Sequence, residues 1–455
     1  MTAYCGQRDE INCSGCTIPS RTSTEEYSHT PFDQFSLQVK ELRSLLWPPT
    51  PSSGPSLSRS RTERLLGGPR NRIAGVLNRS KSTRSRAKLL PPPPRDFVIE
   101  RLRGGGYNRV IGITVPQSEN KDPAKLILRV PRFADSQHEL EVAVLRFVRQ
   151  HTSIPVPEVK FVDFTSNNPL KQRYAIQSRI SGCDLQTDSK PMWYPNLSHG
   201  QKCTMTKEFA ELLLELQSVR HPYPGRIEAA SVDDGIQKFI VRPFELETIF
   251  GRQSETDLYR DREFLQVRPF DPDWEPPAAK PIEQGAYYFM CAQFGRWRAL
   301  ELLSDPFLIA FRDHHDRLAK ATDQMSGLGY ETYLYHLDFN TAPRNIMADF
   351  DKDNPDDLEI TGILDWDSTT FAPRFVGCAP PMWIWAWNSE EDEDERHAED
   401  IPPTPEQQEL KRIFEETVGF DFLYFAYQEE FRLAREMFRF ALYGTGSQTD
   451  VQEAE

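Results

Sequence analysis

Tyr335-His336-Leu337-Asp338-Phe339-Asn340-Thr341-Ala342-Pro343-Arg344-Asn345-Ile346-Met347, with Thr361-Gly362-Ile363-Leu364-Asp365-Trp366-Asp367 downstream, is where the fold declares itself. Two apolar, β-like segments flank a polar loop. One ends at His336, and the other runs from Ile360 to Leu364 into Asp365. Asp338, Asn345 and Asp365 are therefore expected on loops at strand ends. Two carboxylates and a carboxamide converging there suit a hard divalent cation, which takes oxygen ligands. Singly these residues mean little, because an Asp-Trp-Asp or a lone His-x-Asp is more often a turn held by local hydrogen bonds. Order and spacing set them apart, together with a second, independent set upstream.

That second set begins with Leu102-Arg103-Gly104-Gly105-Gly106-Tyr107-Asn108, between strand-like runs at Phe97–Leu102 and Val110–Val115. Consecutive glycines at Gly104, Gly105 and Gly106 let backbone N–H groups approach a phosphate without obstruction by Cβ. Alone, such a run is more commonly a flexible turn. Lys125-Leu-Ile-Leu-Arg129-Val-Pro131 reads as a third strand. A helix is expected from Ser136 to Gln150, with Leu140, Val144, Phe147 and Val148 on one face and Glu141 in its first turns. A strand cation paired with a helix carboxylate can hold the α- and β-phosphates of a nucleotide. The plainer alternative is a surface ion pair worth under ~1 kcal/mol. After Ile154-Pro-Val-Pro157 breaks the helix, Val159–Phe164 and Arg173–Ile180 complete an antiparallel sheet of five strands.

From Ser198 onward the pattern is helical, with Phe209, Leu212, Leu213, Leu216 and Val219 as an apolar stripe. Residues 222–285, rich in proline and charge, read as a long insertion. Helices return from Ala286 to Gln324, and two more are expected between Pro405 and Tyr443. Trp383, Trp385 and Trp387 are candidates for shaping a binding surface, with core packing as the more ordinary use of such residues. The acidic run Glu390 to Asp400 reads as a solvated loop.

Residues 1–94 differ in kind. They are rich in Ser, Thr, Arg and Pro, and Arg59 to Lys88 holds ten Lys or Arg against one acid, Glu63. Such a segment cannot bury enough apolar surface to offset its ordering entropy, so a disordered basic tail is expected, able to contact anionic surfaces. Within it Phe35, Leu37, Val39, Leu42, Leu45 and Leu46 have helical spacing suited to docking on the folded body. A second disordered tail is expected at 446–455.

The net charge of -14 over 455 residues gives no reason to expect nucleic acid as a specific partner. Seven cysteines at irregular spacings read as free thiols of a reducing, cytoplasmic setting. Cys13-x-x-Cys16 lacks the second ligand pair of a zinc framework. No stretch reads as a secretory leader or an apolar membrane span.

In this order — glycine hairpin, strand cation Arg129, helix Glu141, His336-x-Asp338, Asn345, Asp365-Trp366-Asp367 — the chain resembles the aminoglycoside phosphotransferase and choline-kinase-like family of the protein-kinase fold, and above all its large fungal branch. The likeness spans about Asp96 to Tyr443. It is tightest at Leu128–Arg132, at Glu141–Val148 with Ile154–Pro157, at His336–Asp338 with Pro343–Asn345, and at Gly362–Asp367 with Ala372–Phe375. It implies an α+β, bilobal architecture: a small antiparallel N-terminal lobe over about 95–180, and a larger, mainly helical C-terminal lobe over 181–445. It also implies transfer of the γ-phosphate of ATP, with Mg2+, to a hydroxyl of a small molecule. Gly104, Gly105 and Gly106 would cover the phosphates, and Arg129 with Glu141 would hold them. Gln177 to Ile180 would form the hinge against adenine. Asp338 would be the catalytic Asp, the base that positions the acceptor hydroxyl, braced by His336. Asn345 and Asp365 would bind magnesium, with Asp367 as a supporting acid of that metal site.

Two departures from the family pattern stand out. Asn345 follows Asp338 by seven positions, where about five is usual. Arg129 replaces the usual lysine, keeping the charge but presenting a planar fork. The longer loop favours an alternative, a pseudokinase that binds nucleotide or a partner without turnover. A protein kinase acting on Ser/Thr is disfavoured, since Asp365-Trp-Asp stands in place of Asp-Phe-Gly and no Ala-Pro-Glu follows.

Overall fold

Alternation builds the first sheet. In β1 (Val98–Arg101), β2 (Asn108–Val115) and β3 (Ala124–Pro131), successive side chains point to opposite faces. Ile111, Ile113, Val115, Leu126, Leu128 and Val130 are buried together, and Arg129 belongs to the other face. The structure is a computed structural model that describes residues 32–42, 97–102, 108–116, 122–132, 138–187, 192–233, 236–244, 266–275, 286–303, 331–339, 343–350, 358–387 and 394–443. After β3 come helix α2 (His138–His151), β4 (Val159–Asp163) and β5 (Tyr174–Ser178). The sheet order is β1-β2-β3-β5-β4, antiparallel throughout, with α2 between the third and fourth strands as expected.

The far face of this sheet is not bare. Helix α1 (Phe32–Glu41) covers it, placing Phe35, Val39 and Leu42 among Ile111, Ile113, Leu128 and Tyr174. Arg109 lies 3.8 Å over the Phe35 ring. The segment expected as a tail thus contributes a packed helix, starting three residues before the expected Phe35. Leu37, expected in its apolar stripe, is exposed. Leu45, Leu46 and the basic run from Arg59 to Lys88 lie outside the described residues, as do both termini.

The rest of the chain combines helices with two further sheets. Ser198 and Gln201 form a capping box that starts α3 (His199–Ser218), whose Phe209, Leu213 and Leu216 enter the main core. Part of the expected insertion is ordered as sheet: β8 (Gly225–Asp233) and β9 (Ile236–Arg242) pair as a hairpin, and Phe239 and Val241 reach the core. With β7 (Arg220–His221), β10 (Arg268–Pro269), β11 (Thr332–His336) and β14 (Thr369–Pro373) they form a six-stranded sheet, ordered β10-β9-β8-β14-β11-β7. A three-stranded sheet joins β6 (Cys183–Asp184), β12 (Ile346–Phe350) and β13 (Leu358–Ile363). Helices α4 (Ala286–Leu303), α5 (Arg374–Gly377), α6 (Pro405–Tyr427) and α7 (Glu429–Tyr443) complete the described α-helices. Together these elements make an α+β, bilobal, protein-kinase-like fold.

One glycine is fixed by a close approach. Gly182 has φ +85, and a Cβ there would stand 2.0 Å from the Ala348 carbonyl oxygen. Only glycine lets the chain leaving β5 turn and pair through β6 with β12.

The acidic run is not simply solvated. Glu395 accepts from Arg435 Nε at 2.9 Å and Nη2 at 2.5 Å. The same guanidinium donates to the Phe375, Phe425 and Ala426 carbonyls at 3.2, 2.8 and 3.0 Å. Arg435 therefore ties α5, the end of α6 and the acidic loop to α7. Replacing it with alanine orphans a partly buried carboxylate and removes a donor from three carbonyls, of which Phe375 keeps the Cys378 N–H, at a cost of about 3 kcal/mol. Arg435→Ala is expected to lower the urea midpoint accordingly, and an unchanged midpoint would contradict this role.

Candidate active site

The site begins where β11 ends. His336 closes that strand opposite Thr369 of β14, and its ring is fully buried. The Asp338 N–H donates to Nδ1 at 3.2 Å, and Nε2 lies 2.8 Å from the Leu364 carbonyl oxygen. An amide N–H can only donate and a carbonyl can only accept, so Nε2 carries the proton and the ring is neutral. Burial, which lowers the His336 pKa, favours the same state. The Trp366 indole packs edge-on against the ring at 4.8 Å and donates to the Ile363 carbonyl at 2.8 Å. His336 is thus a brace linking the Asp338 turn to the chain just before Asp365.

A second cross-link runs through Asn345. The short helical turn Pro343–Asn345 carries it back under the loop, where Nδ2 donates to the Asp338 carbonyl at 3.3 Å. The Leu364 N–H donates to the Asn345 carbonyl at 2.8 Å. Leu364 is held on both sides, by Asn345 through its N–H and by His336 through its C=O. The seven-residue spacing does not carry Asn345 away from Asp338, although residues 340–342 between them lie outside the described residues. Arg344, on the solvent side, stands 3.9 Å from the Asp338 carboxylate.

Asp365 follows β13 in the left-handed region, at φ 66 and ψ 52. Aspartate tolerates this conformation better than most residues. Its carboxylate lies 3.7 Å from Arg129 Nη2. The same Nη2 lies 3.0 Å from Glu141, and His138 Nδ1 stands 3.4 Å from the other Glu141 oxygen. Burial disfavours both charges of the Arg129–Glu141 pair. Glu141, Asp365 and Asp367 outweigh it at Arg129 and raise its pKa, while Arg129 holds Glu141 below the usual carboxylate range. Asp367 is open at its edge, yet the protein packed around it, then the charges of Asp365 and Glu141, push its carboxyl up to about 7.

The segment Gln177 to Ile180, expected as a hinge, closes β5 and leaves it. Gln177 is buried within β5, paired with Ile127 and Val159. The Ser178 and Arg179 N–H groups donate to the Glu158 and Lys125 carbonyls at 2.9 and 3.0 Å. Ile180 follows, and a Cβ on Gly362 would lie 2.7 Å from its Cγ2, so it packs onto the strand leading to Asp365. Gly104, Gly105 and Gly106 lie outside the described residues.

Two features escape a reading of the sequence. His138 backs Glu141 one helical turn earlier, and its spacing signals only a shared face. The Leu364 backbone holds both loops, and no side chain marks that role. Trp383 and Trp385 are core residues, packed on Phe209, Tyr194 and Phe414, and Trp387 stacks on Tyr194.

The profile of a phosphotransferase enzyme family, APH, matches residues 98–400, two-thirds of the chain. The chain belongs to this phosphotransferase family. No curated protein matches it. Among solved structures, a thermostable mutant of aminoglycoside phosphotransferase APH(4)-Ia, in complex with ADP and hygromycin B, is 16% identical. That match covers 78% of this chain and 95% of the other, at a TM-score of 0.36. Macrolide 2'-phosphotransferase MphH from Brachybacterium faecium is 14% identical over 78% of this chain and 90% of its own, with TM-score 0.36. Choline kinase from Cryptosporidium parvum Iowa II is 11% identical over 79% and 85%, with TM-score 0.36. No helix among the described residues of this family member is long and apolar enough to cross a membrane.

Proposed function

We propose that the protein transfers the γ-phosphoryl group of ATP, with Mg2+, to a hydroxyl of a small molecule. The observation that carries this is the contact of Arg129 with both Glu141 and Asp365. A strand, a helix and a loop distant in sequence meet there in one charged cluster, beside the Asp338 turn. A nucleotide triphosphate needs a cation against its phosphates, and Arg129 is fixed in the charged form by its neighbours.

The donors suit magnesium, because Asn345, Asp365 and Asp367 bring oxygen ligands and crowded negative charge. Asn345 Nδ2 is committed to the Asp338 carbonyl, which leaves its Oδ1 for the cation. Bound magnesium would neutralise the phosphate oxygens during transfer. Asp338 accepts the proton of the attacking hydroxyl. His336, neutral and doubly hydrogen-bonded, keeps the Asp338 backbone in place and moves no proton. Glu141 keeps Arg129 aimed, and Gln177 to Ile180 line the nucleotide. Catalysis is then mostly positioning and electrostatics. The acceptor would enter between the Asp338 turn and the C-terminal helices, in a reducing, cytoplasmic setting.

The test is ADP release from ATP and Mg2+ across a panel of hydroxyl-bearing metabolites. Release that depends on both Mg2+ and one acceptor class is expected. Nucleotide binding without release for any acceptor would favour a pseudokinase, the alternative suggested by the long Asp338–Asn345 loop. Absence of nucleotide binding would contradict both.

A further inference from the structure

A second cluster of ligand-type side chains lies between α3 and α6 and shares no residue with the Asp338 site. His199 and Cys203 are one turn apart on α3, and Glu409 faces them from α6. Their ligand atoms all lie within 4.8 Å of one another. His199 Nε2 is the centre: it stands 2.8 Å from the Glu409 carboxylate and 3.6 Å from the Cys203 sulfur.

We propose that His199, Cys203 and Glu409 form a binding site for zinc or a similar borderline d-block cation, clipping α6 to α3. The ligand types decide the class of metal. Thiolate, imidazole and carboxylate together suit zinc and not magnesium or calcium. Two of the three ligand–ligand edges can be compared with a tetrahedral site. With usual zinc–ligand lengths, a tetrahedron has a nitrogen–sulfur edge of about 3.6 Å and a nitrogen–oxygen edge of about 3.4 Å. The first matches the observed separation, and the second needs the Glu409 oxygen to withdraw by about half an ångström. Glu409 is half exposed and has room to do so. A water would supply the fourth ligand.

Both helices are held where the site needs them. Capping boxes fix their starts, Ser198 with Gln201 before His199 and Thr404 with Gln407 before Glu409. Charge also closes. Arg412 lies 3.8 Å from the second Glu409 oxygen and 2.6 Å from Glu416. A divalent cation plus Arg412 balances the Cys203 thiolate, Glu409 and Glu416. Binding would displace the Cys203 proton to solvent, so no other reactant is required.

The full chain, stripped of metal under reductant, is titrated with Co2+ as a spectroscopic probe and with Zn2+ in thermal melts. One equivalent of Co2+ is expected to give a sulfur-to-cobalt charge-transfer band. Zn2+ is expected to raise Tm by about 3–5 °C. Cys203→Ser should abolish the band and the Tm shift. Glu409→Gln, at an exposed position, should weaken Zn2+ binding by at least about tenfold. The double variant Cys13→Ser, Cys16→Ser should keep the band. No band in the wild type, or a band that survives Cys203→Ser and vanishes in the double variant, would overturn the proposal. So would an unchanged Zn2+ affinity in Glu409→Gln, whatever the folding of the cysteine variant.

Discussion

Asp338→Ala is expected to reduce phosphoryl transfer by about 10³-fold in kcat while leaving ATP affinity within about twofold. The split follows from where Asp338 sits. Its backbone, not its carboxylate, holds the turn: the N–H binds His336 and the C=O receives Asn345. Alanine keeps both bonds, so the loop and the Asn345 position survive. What is lost is the proposed acceptor-side base, which would act only once the hydroxyl is aligned. A loss of about 10³ corresponds to roughly 4 kcal/mol of transition-state stabilisation. Steady-state kinetics with the identified acceptor, together with ATP-binding calorimetry, separates the two quantities. Turnover near the wild-type value would remove Asp338 from the chemistry.

Asp365→Asn is expected to behave differently, losing transfer and weakening Mg2+-dependent nucleotide binding by at least about tenfold. Asparagine is the right probe because position 365 is left-handed. Alanine there would add backbone strain of about 1–2 kcal/mol and blur the result. The substitution removes the charge of the proposed metal ligand and one of the carboxylates facing Arg129. Glu141 remains, so Arg129 stays paired and the fold should hold. Binding of ATP measured with and without Mg2+ gives the expected signature: the Mg2+-dependent gain shrinks, and the Mg2+-free affinity rises or stays level. An undiminished Mg2+ gain would place the cation elsewhere.

Much of this was legible in the residues. The five-stranded sheet with its inserted helix follows from alternation and from Ile154-Pro-Val-Pro, and the structure repeats that order. The Arg129–Glu141 pair was likewise readable, since a cation on one strand face and an acid in the next helix leave few other partners. The β8–β9 hairpin was hidden because proline and charge in residues 222–285 masked short runs such as Lys238-Phe-Ile-Val. Helix α1 showed its stripe, yet its exposed Leu37 breaks the pattern, and only the sheet face beneath it reveals why Phe35 and Val39 are apolar. Glu395 looked like one acid among many, because its partner Arg435 is far along the chain. The return of Asn345 to Asp338 depends on a backbone turn that spacing alone does not encode.

Anomalous diffraction from crystals grown with Mn2+ and a non-hydrolysable ATP analogue tests the central claim most directly. The expected result is a manganese peak at bonding distance from Asn345 Oδ1 and the Asp365 carboxylate, with the analogue's phosphates between it and Arg129. A peak that Asp365 and Asn345 do not share, or a nucleotide bound away from Arg129, would contradict it.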